Sequence, residues 1–243
     1  MIVLGLDTST RATAVAVRDA DGHTSEARDD PPAGAHPGHA TRLLEMAREV
    51  LAGSGLGWSE VDRIAVGVGP GTFTGLRVGV ATARGLAQSL SVALVGVSSL
   101  QALAAAPLED HDAVLAVIDA RRGEVFAAAY EKREDGLPQE LAAPRALAPS
   151  ELTSLIAEAE QAAGATRQWL AVGDGALCFR SALEASGAHV PPLDCPLHLL
   201  SAAAVCELGV RGAAASLHEL VPDYRRRPDA ELALARGGQR VGA

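Results

Sequence analysis

Lysine is almost missing from this chain: of its 243 residues only Lys132 is one. A Walker-type phosphate loop needs a lysine directly after its second glycine, and Lys132 follows Glu131, so that class of nucleotide site is excluded. Cysteine is scarce as well. Cys178, Cys195 and Cys206 stand apart without C-x-x-C spacing, which supplies neither a disulfide framework nor a zinc ribbon and points to free thiols in a reducing cytoplasm. No apolar run reaches membrane-spanning length, and the opening Ile2-Val3-Leu4 reads as a strand, without a basic n-region or a small-residue cleavage site. Neither membrane insertion nor export is expected, and the location expected is the cytoplasm. Positive charge is also in deficit. The formal net charge of −9 argues against this chain wrapping nucleic acid alone, because neutralising phosphates takes clustered Lys and Arg. Any RNA substrate is then held by another subunit. The local exception is Arg225, Arg226 and Arg227, a run that fits a solvated tail better than an RNA contact on charge alone. Finally, H-E-x-x-H and G-x-S-x-G are both absent, which speaks against a zinc peptidase and a serine hydrolase.

What the chain does contain is a repeated pattern. Hydrophobic residues make up 48% and charged ones 21%, ordinary globular usage, and the length suffices for two lobes of about 100 to 120 residues. Residues 2 to 6 form an apolar run ending at Asp7, followed by the turn Thr8-Ser9-Thr10 and an alternating segment through Val15 and Val17, the signature of a hairpin. A third strand near 24 to 28, a helix from His39 to Leu51, a strand from Arg63 to Val68, a helix from Thr74 to Leu90 and a strand from Val92 to Val97 complete the first half. The order then begins again: Val114 to Ile118 runs into Asp119, a turn at Arg121-Arg122-Gly123 follows, then strands at 125 to 130 and 138 to 143, a helix at 150 to 163, strand 169 to 172 and a helix after Gly175. The expected class is α/β with mixed sheets, duplicated βββαβα lobes of the ribonuclease-H-like kind found in actin, divided as 1–103, 104–218 and a tail at 219–243.

Three groups of residues are candidates for function. In Gly69-Pro70-Gly71 the proline fixes φ and the glycines allow unusual angles, with a helix starting directly after; Thr72 and Thr74 there are read as caps rather than as anion ligands. Along that helix Gly75, Gly79, Ala83 and Ala87 recur every four residues and make a ridge without bulk, open either to another chain or to the helix at 39 to 51, where Leu43, Ala47 and Val50 keep helical spacing. Second, Asp7 and Asp119 close the first strand of each half, where an actin-like ATPase keeps the carboxylates that manage Mg²⁺ and water. With Thr8, Ser9, Gly173 and Gly175 they outline at most a vestigial nucleotide site, since neither turn has a glycine-and-lysine phosphate grip. As plain turn residues the two aspartates need no ligand. Third, His36 and His39 are three apart, and position 43, four beyond His39, is Leu43, so no two-histidine helical metal site forms. His39 is read as a helix-start residue, and no metal ligand or catalytic residue is assigned.

The segment Gly67-Val68-Gly69-Pro70-Gly71-Thr72-Phe73-Thr74-Gly75-Leu76-Arg77 resembles the signature G-x-G-P-G-[ST]-F-T-G-[LIV]-R of the TsaB (YeaZ) family. Leu6-Asp7-Thr8-Ser9, Gly96 to Leu100, Ile118 to Phe126 and Tyr224-Arg225-Arg226 extend the likeness over nearly the whole chain, loosely between 135 and 215. The resemblance implies an actin-like fold and a non-catalytic subunit in the synthesis of threonylcarbamoyladenosine next to the tRNA anticodon. It implies that His39, Leu43, Ala47 and Val50 of one helix and Gly75, Gly79, Ala83 and Ala87 of the next pair with TsaD, or with a second copy when TsaD is absent. It implies TsaE, an ATPase, as third component, tRNA met only through the complex, and no cofactor for the isolated chain, with ATP or ADP at the complex interface. The rival is an independent actin-like ATPase or phosphotransferase acting through Asp7 and Asp119.

Overall fold

The computed structural model describes residues 1–32 and 34–225; of the tail expected at 219–243, Arg226, Arg227 and everything after them lie outside the described residues. Two sheets form the frame. The first takes the order β3-β2-β1-β4-β5, from β1 (Val3–Asp7), β2 (Thr13–Arg18), β3 (Thr24–Asp29), β4 (Arg63–Gly69) and β5 (Ala93–Ser98). Strands β1 to β3 are antiparallel neighbours, while β4 and β5 run parallel to β1. The parallel strands are largely buried and apolar between their ends, where Asp7, Arg63 and Ser98 stand; β3, at the edge, is Thr-Ser-Glu-Ala-Arg-Asp, the polar composition that discourages pairing with another edge. The second sheet has the order β8-β7-β6-β9, with β6 (Ala113–Arg121), β7 (Glu124–Lys132), β8 (Pro138–Leu147) and β9 (Leu170–Val172). Its β6 repeats β1: antiparallel to the next strand, parallel to the strand reached after a helix. This is the duplicated ribonuclease-H-like, actin-like α/β architecture.

Strand alternation sorts the side chains into layers. From β1 and β4, Leu4, Leu6, Ile64 and Val66 meet α1 (His39–Gly53) and α2 (Phe73–Leu90) in an outer core with Leu43, Met46, Val50 and Val80. On the opposite face Val3, Ala65, Val95 and Val97 join Val114, Ala116, Ile118 and Tyr130 of the second sheet in a central core. Beyond that, α4 (Leu152–Ala163), α5 (Asp174–Cys178) and α6 (Arg180–Ala185) cover the far face of the second sheet.

Two helices between the sheets were not anticipated from the sequence. Short α3 (Ser99–Ala105) begins where β5 ends, capped by the Ser98 hydroxyl, which accepts from Gln101 N–H at 3.4 Å. Helix α7 (Ala202–Arg211) lies on the first sheet although it follows the second in sequence. Its run Ala-Ala-Ala-Val-Cys has the small side chains such an approach requires: a Cβ on Gly5 would sit 2.6 Å from Cys206 Sγ. Burial pushes the Cys206 thiol up to about 12. Glu26 of the edge strand accepts from the Ala202 N–H and the Ser201 hydroxyl at 2.6 and 2.7 Å, placing a carboxylate at the α7 N-terminus. So the stretch at 104–218, grouped as the second lobe by pattern, sends its last helix to the first.

Candidate functional site

The glycine-proline-glycine loop and the turn after Asp7 form one interlocked unit. Gly69 has φ +113°, a conformation L side chains rarely adopt. Gly71 needs its missing side chain for space, because a Cβ there would overlap the Ser9 backbone. That approach lets the Thr72 N–H donate to the Ser9 carbonyl at 2.7 Å, while the Thr8 hydroxyl donates to the Gly75 carbonyl at 2.7 Å. Thr72 does stand at the N-cap of α2, yet its side chain makes no capping bond; its backbone N–H, one of the four that open a helix, is taken by the Ser9 carbonyl. Asp7 Oδ1 accepts from both the N–H and the hydroxyl of Ser9 at 2.8 Å, and Oδ2 accepts from the Ser99 hydroxyl at 3.2 Å. Burial raises the Asp7 carboxyl above its ordinary range despite those three donors.

The second strand end is built otherwise. Asp119 sits in register with Val125, on the outer face with Leu115 and Val117, whereas Asp7 sits with Val3 on the inner face. The expectation that the two aspartates are equivalent holds for topology and fails for facing: a one-residue difference in where the strand ends turns the carboxylate to the other side. Asp119 accepts from the Arg121 N–H at 2.8 Å and pairs with its guanidinium at 2.9 Å, and the Asp119 N–H donates to Asp174 Oδ1 at 3.0 Å. Burial, with the Asp119 charge adding to it, raises the Asp174 carboxyl. Gly173, at φ +108°, and Gly175 press against β6 so closely that a Cβ on either would collide with its backbone. These two glycines serve the strand-to-helix turn.

Between the lobes lies a cavity of about 210 Å³ lined by Thr10, Arg11, Arg28, Ile118, Asp174, Leu193 and His198 among others. Asp174 and Gly173 reach it; Asp7, Thr8, Ser9, Asp119 and Gly175 do not. Its cations are already bonded: Arg11 donates to the Pro32 and Ala35 carbonyls, and Arg28 to the Leu200 carbonyl and Asp30. His198 accepts from the Gly173 N–H at 3.2 Å and holds the Pro191 carbonyl at 3.1 Å. The mouth is apolar, with Leu193 and Leu199 76% and 48% exposed. Among the described residues one trio of metal-capable side chains draws together, Asp19, Asp21 and His23. It lies in the exposed β2–β3 turn, where Asp19 Oδ1 accepts the N–H groups of Asp21 and His23.

The eight residues expected at a partner interface are brought together on the wrong side for one. Leu43, Ala47, Val50, Ala83 and Ala87 belong to the core beneath α1 and α2. A Cβ on Gly75 or Gly79 would overlap Thr8. His39, the first residue of α1, is buried and shares a hydrogen bond of 2.9 Å with Thr13 through Nδ1, and burial lowers its pKa. The bulk-free ridge exists to seat α2 on its own sheet and turn. What α2 shows outward is Thr74, Arg77, Ala81, Gly85, Gln88 and Ser89, with Arg84 half-buried beside them.

Sequence reasoning missed a cluster at the start of that outward face. The Arg77 guanidinium lies 3.7 Å from the Phe73 ring centroid and 5.9 Å from that of Tyr224, and its Nε donates to the Tyr224 hydroxyl at 3.0 Å. The two rings are 5.1 Å apart. A stacked cation of this kind is worth about 0.5–1 kcal/mol when exposed. The Asp223 N–H donating to the Val68 carbonyl at 2.7 Å fixes the returning segment. The signal was present: Phe73, Arg77 and Tyr224 all fall in segments that carry the family resemblance, 147 residues apart, and only the fold joins them.

Residues 31–234 match the family described as TsaD: tRNA N6-adenosine threonylcarbamoyltransferase. Among curated proteins the chain is similar to the tRNA threonylcarbamoyladenosine biosynthesis protein TsaB of Haemophilus influenzae, 44% identical over 130 residues that cover 52% of this chain and 52% of that one. It is also similar to TsaB of Bacillus subtilis, 29% identical over 194 residues, 79% of this chain and 82% of that one. The matched part spans about half the length of the first curated relatives. Among solved structures, an uncharacterized Pseudomonas aeruginosa protein with similarity to peptidase YEAZ superposes with a TM-score of 0.75 and 29% identity, covering 93% of this chain and 99% of the other.

Proposed function

We propose, from the premise that this chain belongs to the TsaB (YeaZ) family, that it is an accessory subunit in tRNA threonylcarbamoyladenosine synthesis. In this reading it binds and activates the threonylcarbamoyltransferase TsaD and carries no catalytic residue of its own. The observation that carries the reading is the 2.7 Å bond from the Thr72 N–H to the Ser9 carbonyl. A helix N-terminus beside a glycine-rich loop is where a phosphate is ordinarily received, and here backbone carbonyls of the 8–10 turn crowd it: Ser9 takes the Thr72 N–H and lies against Gly71, and Thr8 lies against Gly75. Asp7, closed in by Ser9, Ser99 and Gly67, is a structural carboxylate on the same argument. The outward faces of α1 and α2, rather than the buried ridge, then meet the partner.

The wider assembly follows from the same premise. TsaE is the third component, a second copy takes the partner's place when TsaD is absent, ATP or ADP sits at the complex interface, and tRNA is met through the complex. Among the described residues no helix is long and apolar enough to cross a membrane. The deciding experiment pairs a titration of the purified chain against TsaD of the same organism with calorimetry of the chain alone in Mg-ATP. Binding to TsaD, with no nucleotide heat, is the expected pair of results. Micromolar nucleotide binding with turnover that vanishes in Asp7→Asn would establish the independent ATPase instead.

A further inference from the structure

The outward face of α2 carries two arginines and, over its 18 residues, no acid. Arg77 and Arg84 are seven residues apart, two helical turns, so they stand on one stripe about 10 Å from each other along the axis. Arg77 is held in place by the rings of Phe73 and Tyr224 and gives its Nε to the Tyr224 hydroxyl. Its two terminal nitrogens stay unbonded among the described residues, a planar fork fixed before anything arrives. Arg84 likewise meets no carboxylate among the described residues and borders a hollow of about 330 Å³ with Ala81, Gly85, Gln88, Leu217 and His218. The acid nearest in sequence to Tyr224 is Asp223, which is already taken by Arg225 at 2.7 Å. On the neighbouring helix α1, Arg42 pairs with Glu45 and Asp29 within the chain, and that helix carries the acids Glu45 and Glu49 that α2 lacks.

We infer that Arg77 and Arg84 are the specificity-determining anchors of the partner contact, receiving two carboxylates spaced about one heptad apart on a helix of the transferase subunit. This deepens the accessory-subunit reading and rests on it. Guanidinium forks bind carboxylates in bidentate fashion, and Ala81 between the two arginines, with Gly85 just beyond Arg84, leaves room for a helix to come close. RNA phosphate fits less well, because the chain's net charge of −9 repels a polyanion. Tyr224 and Phe73 are positioning residues in this scheme: they hold the Arg77 fork and touch no partner atom themselves.

The test is a titration of the full chain against the intact transferase subunit of the same organism, at low and high salt. Arg77→Glu and Arg84→Glu are each expected to weaken binding about tenfold or more, with the melting temperature of Arg84→Glu nearly unchanged and that of Arg77→Glu lowered by about 2–4 °C at most, because Arg77 gives up its stacking on Phe73 and Tyr224. Wild-type affinity should fall with salt more steeply than that of the double variant. Tyr224→Phe should cost a few fold alone and nothing further on top of Arg77→Glu. An acid-to-Arg change on the transferase that restores binding to Arg77→Glu would identify the opposing carboxylate. Unchanged affinity of the double variant overturns the inference and leaves the accessory-subunit reading standing. So does a double variant that loses only self-association in ultracentrifugation, or only retention of a tRNA anticodon stem-loop. A wild-type chain that fails to bind the transferase at all overturns both together.

Discussion

The two halves end their first strands in the same topological place and use those ends differently. At the end of β1 the carboxylate of Asp7 is turned inward, receives three hydrogen bonds and is locked beneath the glycine-proline-glycine loop. At the end of β6 the carboxylate of Asp119 is turned outward onto Arg121, half of whose side chain is in solvent. A duplicated fold thus keeps its frame while its strand ends diverge. One became a packed joint between turn, loop and helix; the other stayed a surface turn beside Asp174 and the cavity between the lobes. A single residue of register decides which sheet face a carboxylate meets, so topology does not by itself say which aspartate matters.

The strongest way to break the closed end is to add bulk beneath α2. Gly79→Arg places a cation against Thr8 and the first sheet, with no acid to pair it. An unpaired buried charge costs about 3–5 kcal/mol, and the variant should unfold at much lower urea or fail to accumulate folded. A folded Gly79→Arg that merely loses its partner would show that the ridge faces outward after all.

Removing Asp7 is the next largest perturbation. Asp7→Ala strands the Ser9 N–H and two hydroxyls and should cost about 2–4 kcal/mol in chemical denaturation. Asp7→Asn can accept from Ser9 and donate to Ser99, and should be neutral or stabilising at pH 7. The sign follows from linkage. Because burial raises the folded pKa, the native state holds a proton in the window above 3.8 that the unfolded chain has released, and ionisation at higher pH works against the fold. Asp7→Asn therefore also flattens the pH dependence in that window. A large loss of stability in Asp7→Asn would mean that the negative charge itself holds the joint.

Much of this was legible beforehand, and what was not has a physical cause. Period-two alternation located most strands, and the glycine spacing located α2, because both patterns are local. The same spacing could not say which side of α2 is the inside: Gly75 and Gly79 fit equally well under a foreign helix or over Thr8, and only the return of the turn at 8–10 decides. Helix α7 escaped because Ala, Gly and Cys at a sheet face look like a featureless segment; its signal is the small size that close packing demands. The Phe73, Arg77 and Tyr224 cluster was invisible for a third reason, since a contact across 147 residues leaves no local trace.

The closed half also contains a buried histidine, and comparison with the other half gives a gentler test. His198 has both ring nitrogens bonded, whereas His39 leans on Thr13 through one. Burial lowers the His39 pKa, so as pH falls through 6.5 the unfolded chain takes up a proton that the native state resists, and stability declines. One such proton changes stability by at most about 1.4 kcal/mol per pH unit. Denaturation midpoints between pH 8 and 5 should show a smaller decline in His39→Asn than in the wild type, since the amide can still bond Thr13. Equal slopes in the two proteins would remove His39 as the source.

The open end should be nearly indifferent to its own charge. Asp119→Asn keeps an oxygen for the Arg121 N–H and loses only a pair with a half-exposed guanidinium, a kind of contact worth about 0–1 kcal/mol, so stability should stay within about 0.5 kcal/mol. The informative change is at the neighbour. The Asp119 charge helps raise the Asp174 carboxyl, and its removal should bring that carboxyl back toward the ordinary range, visible in an NMR titration. Asp7→Asn should leave the Asp174 titration unmoved, because Asp7 is not among the groups that shift it. If both variants moved Asp174 alike, the two strand ends would share one electrostatic site across the cleft, and the division into a packed joint and a free turn would have to be abandoned.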